Sequence, residues 1–285
     1  MTSAPPGQAE GLDEARSRLL QTKLEQGFTG SAYDAWCVLR HQQLLDALDR
    51  RQHQRFAVWP GENPVGVGYL SGNGTLVVAG DRAAGTPLAH FADGSGWRVL
   101  IGDIGPAEEI VRHASKGLLR RGPRAREQRL MATRQAVDHP PPQGWAEGTL
   151  GHLDDVAELA CRLHVEDQMG PPLSRAGRQA VKSRMRDSVR SGRTWVVVRS
   201  GKVVAKVDVP LFGRRRGSQI AGVYVDEKYR GQGLATGLVT LVARRLLADG
   251  ALGVTLHVRS DNGAALHSYG RAGFVDCGAW MLALR

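Results

Sequence analysis

The stretch that most restricts how this chain can fold is Gln219 to Ala248, QIAGVYVDEKYRGQGLATGLVTLVARRLLA. Ile220, Val223 and Val225 form a β-branched run that predicts a strand ending near Asp226. Leu234, Leu238, Leu241, Val242 and Leu246 then recur on one stripe at helical spacing, and Gly250 follows as a C-terminal stop. Between them lies Arg230-Gly231-Gln232-Gly233-Leu234-Ala235. A strand, a glycine-rich turn and a helix N-terminus in that order gather backbone N–H groups around one point. They add the positive end of the helix dipole and let an anion come close. The stretch predicts a phosphate cradle.

Spacing excludes two common cradles. A dinucleotide fingerprint needs a third glycine where this chain has Thr236, and a P-loop needs a Lys that does not follow. Arg230-x-x-Gly233-x-Ala235 instead resembles the [Q/R]-x-x-G-x-[G/A] pyrophosphate turn of the GNAT superfamily of acyl-CoA-dependent N-acetyltransferases. Farther on, Asn262, Ala265, Tyr269, Gly273 and Phe274 resemble the superfamily's tail pattern N-x-x-A-x-x-x-Y-x-x-x-G-F, with every spacing kept. Ser268 departs from the apolar residue usual before the tyrosine.

The resemblance implies an α/β (α+β) GNAT fold, a mixed and mostly antiparallel sheet flanked by helices, with acetyl-CoA as cosubstrate. Carried over residue by residue, Gly231, Gln232, Gly233, Leu234, Ala235 and Thr236 would wrap the phosphates. Arg230 would start the turn, and Asn262 would contact the cofactor from the following helix. The edge of Val223, Tyr224 and Val225 would pair with the pantetheine arm and offer an N–H to the thioester oxygen. Tyr269 stands where many members keep the acid that protonates the leaving thiolate; it also reads as a core tyrosine with a satisfied hydroxyl.

The general base is open. An alkyl amine with a pKa near ~10.4 must lose a proton before it attacks. Glu166 and Asp167, after the first helix of the second half, are candidates, or are surface charge before Met169. Asp208, in the apolar run VVAKVDVPL, is another, or pairs with Lys206 on an exposed face because the two share strand parity.

Composition limits the rest. An apolar content of 42% and a charged content of 23% are those of a soluble globular protein. Cys37, Cys161 and Cys277 are isolated, which argues against a disulfide scaffold or zinc site and for a reducing compartment. The N-terminus lacks a signal-peptide core and no apolar run reaches membrane-spanning length, so the expected location is cytoplasmic. His113, His164, His257 and His267 have no partners at metal-ligand spacing, so no metal is expected. No nucleophile elbow supports Ser/His/Asp chemistry.

The net charge of +10 falls mostly in the second half, which suits a polyphosphate ligand and suits nucleic acid equally well. The helical stretch Ser174 to Arg193 is rich in arginine and reads as a solvated face or as a surface for an acidic partner. No aromatic residues interleave with those arginines, which ranks nucleic acid low.

The expected organisation is a disordered N-terminus (1–11), an N-terminal helical and α/β domain (12–138), a proline hinge (139–142) and a catalytic GNAT domain (143–285). Within the first domain, Arg82-x-x-Gly85-x-Pro87 parallels Arg230-x-x-Gly233-x-Ala235, but Pro87 has no N–H to offer a phosphate. It reads as a degenerate copy that resembles the N-terminal halves of tandem GNAT proteins, or as part of an unrelated α/β domain. Transfer of acetyl to a small amine or a protein amine is the expected activity. A non-catalytic acyl-CoA-binding regulator and a thiol-biosynthetic acetyltransferase resembling mycothiol synthase stand as alternatives.

Overall fold

The computed structural model describes residues 9–115, 122–167 and 172–285. Most of the expected disordered N-terminus, part of the basic turn at 120–126 and the turn at Met169 lie outside them. The chain divides into two compact units, Met1–Leu130 with Cys277–Arg285, and Met131–Asp276.

The first unit begins with β1 (Glu10–Gly11), α1 (Glu14–Gln26), α2 (Ala35–Arg40) and α3 (Gln42–Asp49). Asp13 caps α1 and Asp34 caps α2 by accepting from the N–H groups of Arg16 and Trp36. The strands β2 (Phe56–Trp59), β3 (Gly66–Leu70) and β4 (Thr75–Gly80) form an antiparallel meander. Next come α4 (Gly85–Ala92), β5 (Val99–Asp103), which runs parallel to β4, and α5 (Ile104–Ala114). Leu76, Val78, Leu88, Trp97, Leu100 and Ile110 form the core of this unit. The strand β6 (Arg124–Thr133) carries the chain from the first unit into the second.

The second unit repeats that plan. After β7 (Trp145–Glu147), α6 (Leu153–Glu166) and α7 (Arg175–Arg190), the strands β8 (Thr194–Arg199), β9 (Lys202–Leu211) and β10 (Ser218–Val225) make an antiparallel meander. A helix, α8 (Leu234–Ala248), leads to β11 (Val254–Arg259), parallel to β10, and then to α9 (Gly263–Arg271). Alternation along β8 decides the layers. Trp195 and Val197 join Leu238, Val242 and Leu246 of α8, whereas Val196 joins Val156, Val181 and Met185 of α6 and α7. The fold is a mixed α/β one, with an open and mostly antiparallel sheet flanked by helices.

Three local features complete the two units. A 3-10 turn, Leu150–His152, precedes α6, so Thr149 caps that turn, and Asp154 sits in the first turn of α6 paired with Lys182. The proline segment packs on α8: a Cβ on Gly237 would come 3.0 Å from Pro142 Cδ. The C-terminal residues form one strand, β12 (Val275–Leu284), which continues through Gly278 at a φ of 109°. From Cys277 onward this strand belongs to the first unit and pairs antiparallel with β5.

Arg40 fastens β12 in place. Its Nη1 and Nη2 donate to the carbonyls of Cys277 and Ala279 at 2.8 and 3.0 Å, and its Nε donates to Asp103 at 2.7 Å. Burial pushes the Asp103 carboxyl up. His41 at 3.8 Å, the Arg40 guanidinium and the Gly80 N–H outweigh burial and hold it below its ordinary value. An acid with a depressed native pKa stabilises the fold above its unfolded pKa and loses that contribution as pH falls through the native one. Asp103→Asn should therefore cost about 1–3 kcal/mol at neutral pH and flatten the loss of stability below about pH 4, as urea unfolding at several pH values would show.

Candidate active site

The parallel strands β10 and β11 pair at only two positions, Ser218 with Val254 and Gln219 with Thr255. Yet β10 continues to Val225 and β11 to Arg259, so the two arms part and leave a fork. On its other side β10 stays paired with β9, but with a shift: Ala221 faces Asp208 and Tyr224 faces Lys206. From Ala221 to Tyr224 three steps along β10 match two along β9, a β-bulge at Gly222 and Val223 that offsets the opposite shift between Gln219 and Ala221. Gly222 has a φ of 59°, in the left-handed region that glycine adopts without strain. A bulge bends its strand and increases its twist, which turns β10 away from β11. The β11-facing edge of Val223, Tyr224 and Val225 has no strand partner among the described residues.

The cradle sits just beyond β10. Gly231 and Gly233 both have φ of 74° and are exposed, and a Cβ on either would meet nothing within 4 Å. Gly233 is the N-cap of α8 and makes no side-chain cap. The first helical bond runs from the Gly237 N–H to the Gly233 carbonyl at 2.9 Å. The N–H groups of Leu234, Ala235 and Thr236 therefore lie ahead of the helical ladder at the positive end of the dipole. Open space, left-handed glycines and uncapped N–H groups fit a diphosphate. The Thr236 hydroxyl donates to the Ser268 carbonyl at 3.3 Å. Asn262 caps α9, with its Oδ1 accepting from the Ala265 N–H at 3.1 Å.

The C-terminal end of α6 reaches both arms of the fork. The Tyr224 hydroxyl donates to Glu166 Oε1, and Arg230 Nη2 bridges both oxygens of the same carboxylate at 2.9 and 2.7 Å. From the other arm, Arg259 Nη1 donates to the Glu166 carbonyl at 3.3 Å. Arg230 also donates from Nε to the Val225 carbonyl at 3.0 Å and lies over the Tyr224 ring at 5.4 Å. One turn earlier in α6, Arg162 donates to Asp226 at 2.7 Å. Burial raises the pKa of the Tyr224 phenol, and the hydrogen bond to Glu166 raises it further.

Tyr269, on α9, is 8% exposed and packs in the core with Leu234 and Leu238. Burial pushes its phenol pKa up and the charge of Asp167 adds to the effect, so the hydroxyl keeps its proton. The structure thus brings Glu166, Tyr224 and Arg230 into direct contact and sets Asp167 near Tyr269. Asp208 stands apart from them. Lys206 and Asp208 do pair, but on a buried face: they are 1% and 8% exposed. Lys206 Nζ donates to Asp208 Oδ2 and, at 2.8 Å, to the Gly222 carbonyl. The Thr194 hydroxyl donates to Asp208 Oδ1 at 3.0 Å. Sequence reasoning missed the Tyr224 hydroxyl, Arg259 and Gly222. A Lys and an Asp of equal parity in an apolar strand were the one signal that pointed toward the bulge.

The corresponding region of the first unit is closed. There β4 and β5 pair at four successive positions, from Thr75 with Val99 to Val78 with Gly102. Gly85 is right-handed, with a φ of −62°, and a Cβ on it would overlap the side chain of Glu109. Arg82 is engaged by Glu108 and, at 3.0 Å, by Glu109. Acidic side chains thus occupy the space beside Arg82 and Gly85.

Among the described residues, no helix is long and apolar enough to cross a membrane, and no group of three or more His, Cys, Asp or Glu side chains could hold a metal. The family model for the acetyltransferase (GNAT) family matches residues 155–274. An acetyltransferase of Sodalis glossinidius is 34% identical over 70 residues, which cover 25% of this chain and 48% of that protein. One from Pectobacterium atrosepticum is 32% identical over 80 residues, covering 27% of this chain and 55% of that protein. The chain spans about half the length of these curated relatives. Among solved structures, a GCN5-related N-acetyltransferase from Sphaerobacter thermophilus has a TM-score of 0.59 at 17% identity, covering 99% of this chain and 96% of that one. An acetyltransferase of the GNAT family from Colwellia psychrerythraea has a TM-score of 0.56 at 11% identity, covering 97% and 98%. At those identities the likeness is one of fold. The match to the family model marks residues 155–274 as a GNAT acetyltransferase domain, and the fork between β10 and β11 lies inside those residues.

Proposed function

We propose that the protein transfers an acetyl group from acetyl-CoA to an amine, using the second unit alone. The observation that carries this reading is the fork between β10 and β11 with an open cradle beyond β10. Gly231 to Thr236 would hold the diphosphate by backbone N–H groups, and the edge of Val223 to Val225 would pair with the pantetheine arm. When bound, acetyl-CoA supplies an activated acyl carbon. The amine then loses a proton, its nitrogen bonds to that carbon, and the carbon–sulfur bond breaks to give a thiolate that takes up a proton.

Glu166 is our choice of base. It is partly exposed at the mouth of the fork, and the Arg230 and Tyr224 contacts orient its carboxylate. Both oxygens of Asp208 are already bonded in a buried site, which suits a structural role. Tyr269 is our choice of acid, because its raised pKa keeps a proton on the oxygen. We also read the first unit as a degenerate copy. Its zipped strands and the glutamates over Gly85 support that reading. A specific observation favours a second reading, an acyl-CoA-binding regulator: Glu166 is held by Arg230 in a bidentate pair, which opposes its use as a base.

Calorimetric titration with coenzyme A should show one site per chain. Gly233→Glu should weaken that binding by at least ~10-fold, through like charge and lost space. The helix should survive, with a cost of only about 1–2 kcal/mol for a side chain in the left-handed region. Wild-type affinity in the folded variant would contradict the cradle.

Tyr269→Phe should leave coenzyme A affinity nearly unchanged while turnover with an amine acceptor falls by roughly 10²-fold. The functional form is the protonated phenol, and its pKa is raised above the ordinary ~10. Wild-type activity should therefore persist through about pH 9, and a decline centred below that would count against Tyr269 as the acid. Absence of turnover with every amine, despite tight acetyl-CoA binding, would favour the regulator.

A further inference from the structure

Lys206 is a long cationic side chain buried almost completely in β9, where Val203 to Val209 are otherwise valine and alanine apart from Asp208. A buried charge is costly unless it is paired and hydrogen-bonded, so its partners tell what it does. It has two. One is Asp208, and the other is the carbonyl of Gly222, inside the bulge that opens the fork. Asp208 is in turn fixed from behind, because Thr194 donates to it at 3.0 Å and Ser188 of α7 lies 2.8 Å from Thr194 Oγ1. A polar chain thus runs from α7 through β8 and β9 to the bulge in β10.

The bulge depends on the pair, and the pair depends on glycine. A Cβ on Gly222 would overlap Asp208 Oδ2 and lie 2.9 Å from Lys206 Nζ. With a φ of 59°, Gly222 is also the residue that adopts this backbone without strain. In a regular antiparallel ladder the Gly222 carbonyl would seek a strand partner; here the ammonium group takes it. Without that donor, the two opposite shifts of β10 against β9, between Gln219 and Ala221 and between Ala221 and Tyr224, can merge into one regular ladder, which straightens the strand toward β11.

We propose that Lys206 and Asp208 are positioning residues: together they pin the Gly222 bulge, and so set the width of the slot that receives the pantetheine arm of the acyl donor. The proposal rests on the reading of the fork as a coenzyme A site. Neither residue needs to touch the ligand, and neither moves a proton.

The test compares two ligands. Coenzyme A uses both the cradle and the slot. Adenosine 3′-phosphate 5′-diphosphate keeps the phosphates and lacks the pantetheine arm, so it uses the cradle alone. Lys206→Met keeps the length of the side chain and removes its donors. Binding of coenzyme A to this variant should weaken by ~10-fold, while the diphosphate fragment should bind within about 2-fold of wild type. Gly222→Ala leaves both charges in place and pushes them off the bulge, so it should give the same split. Should Lys206→Met fail to fold, Gly222→Ala decides. Combining the two should weaken coenzyme A no further than either does alone. Equal weakening of both ligands, the mark of a general structural role, would overturn the proposal, as would wild-type coenzyme A affinity in both variants. Wild-type protein that binds the fragment no more weakly than coenzyme A would overturn it too, since the slot would then contribute nothing. Wild-type protein that binds neither ligand would remove the site reading itself.

Discussion

The second unit is built around two parallel strands that stop pairing. Backbone N–H and C=O groups inside a sheet are normally satisfied by their neighbours, and an unpaired edge invites another chain or a ligand. Here β10 and β11 part after Gln219 and Thr255, and the surrounding features follow from that parting. The Gly222 bulge bends one arm away. The buried Lys206 takes the carbonyl that the bulge orphans. At the mouth, Glu166 is bonded from both arms, by Tyr224 and by Arg259. Beyond β10, two left-handed glycines leave the N-terminus of α8 uncapped. A slot with free backbone edges and an anion seat nearby has the polarity of a long ligand that carries phosphates at one end.

The first unit shows what the same order of elements does without these devices. It too runs meander, turn, helix and parallel strand, yet β4 and β5 stay zipped through Val78 and Gly102. The run Leu76-Val77-Val78-Ala79 contains no glycine before Gly80, so nothing in it accommodates a left-handed residue in mid-strand. Glu109 then lies against Gly85, and both Glu108 and Glu109 engage Arg82. Carboxylates so placed repel a phosphate as well as exclude it.

Much of this was legible in the sequence because it is local. The strand, turn and helix from Gln219 to Ala248 follow from side-chain period and glycine placement, and Ser174 caps α7 by accepting from Gly177 at 3.1 Å, as its position suggests. What escaped reading is set by partners distant in sequence. Whether Lys206 and Asp208 face water or core depends on which helices cover β9, and parity alone assigns only that they share a face. The contact of Glu166 with Arg230 spans 64 residues. The return of β12 to the first unit depends on strand pairing with β5 and on Arg40, 237 residues before Cys277. The start of α6 is likewise not legible, because a 3-10 turn, which has weak sequence signals, places the capped N–H groups at Thr149.

The central claim is that the fork and cradle of the second unit, and not their closed counterparts in the first, receive coenzyme A. Amide hydrogen exchange on the full chain, with and without coenzyme A, tests this most directly. The account predicts slower exchange across 223–225 and 231–236 on binding, with no change across 82–87. Protection at 82–87, or bound coenzyme A that leaves 223–236 exchanging as before, would contradict it.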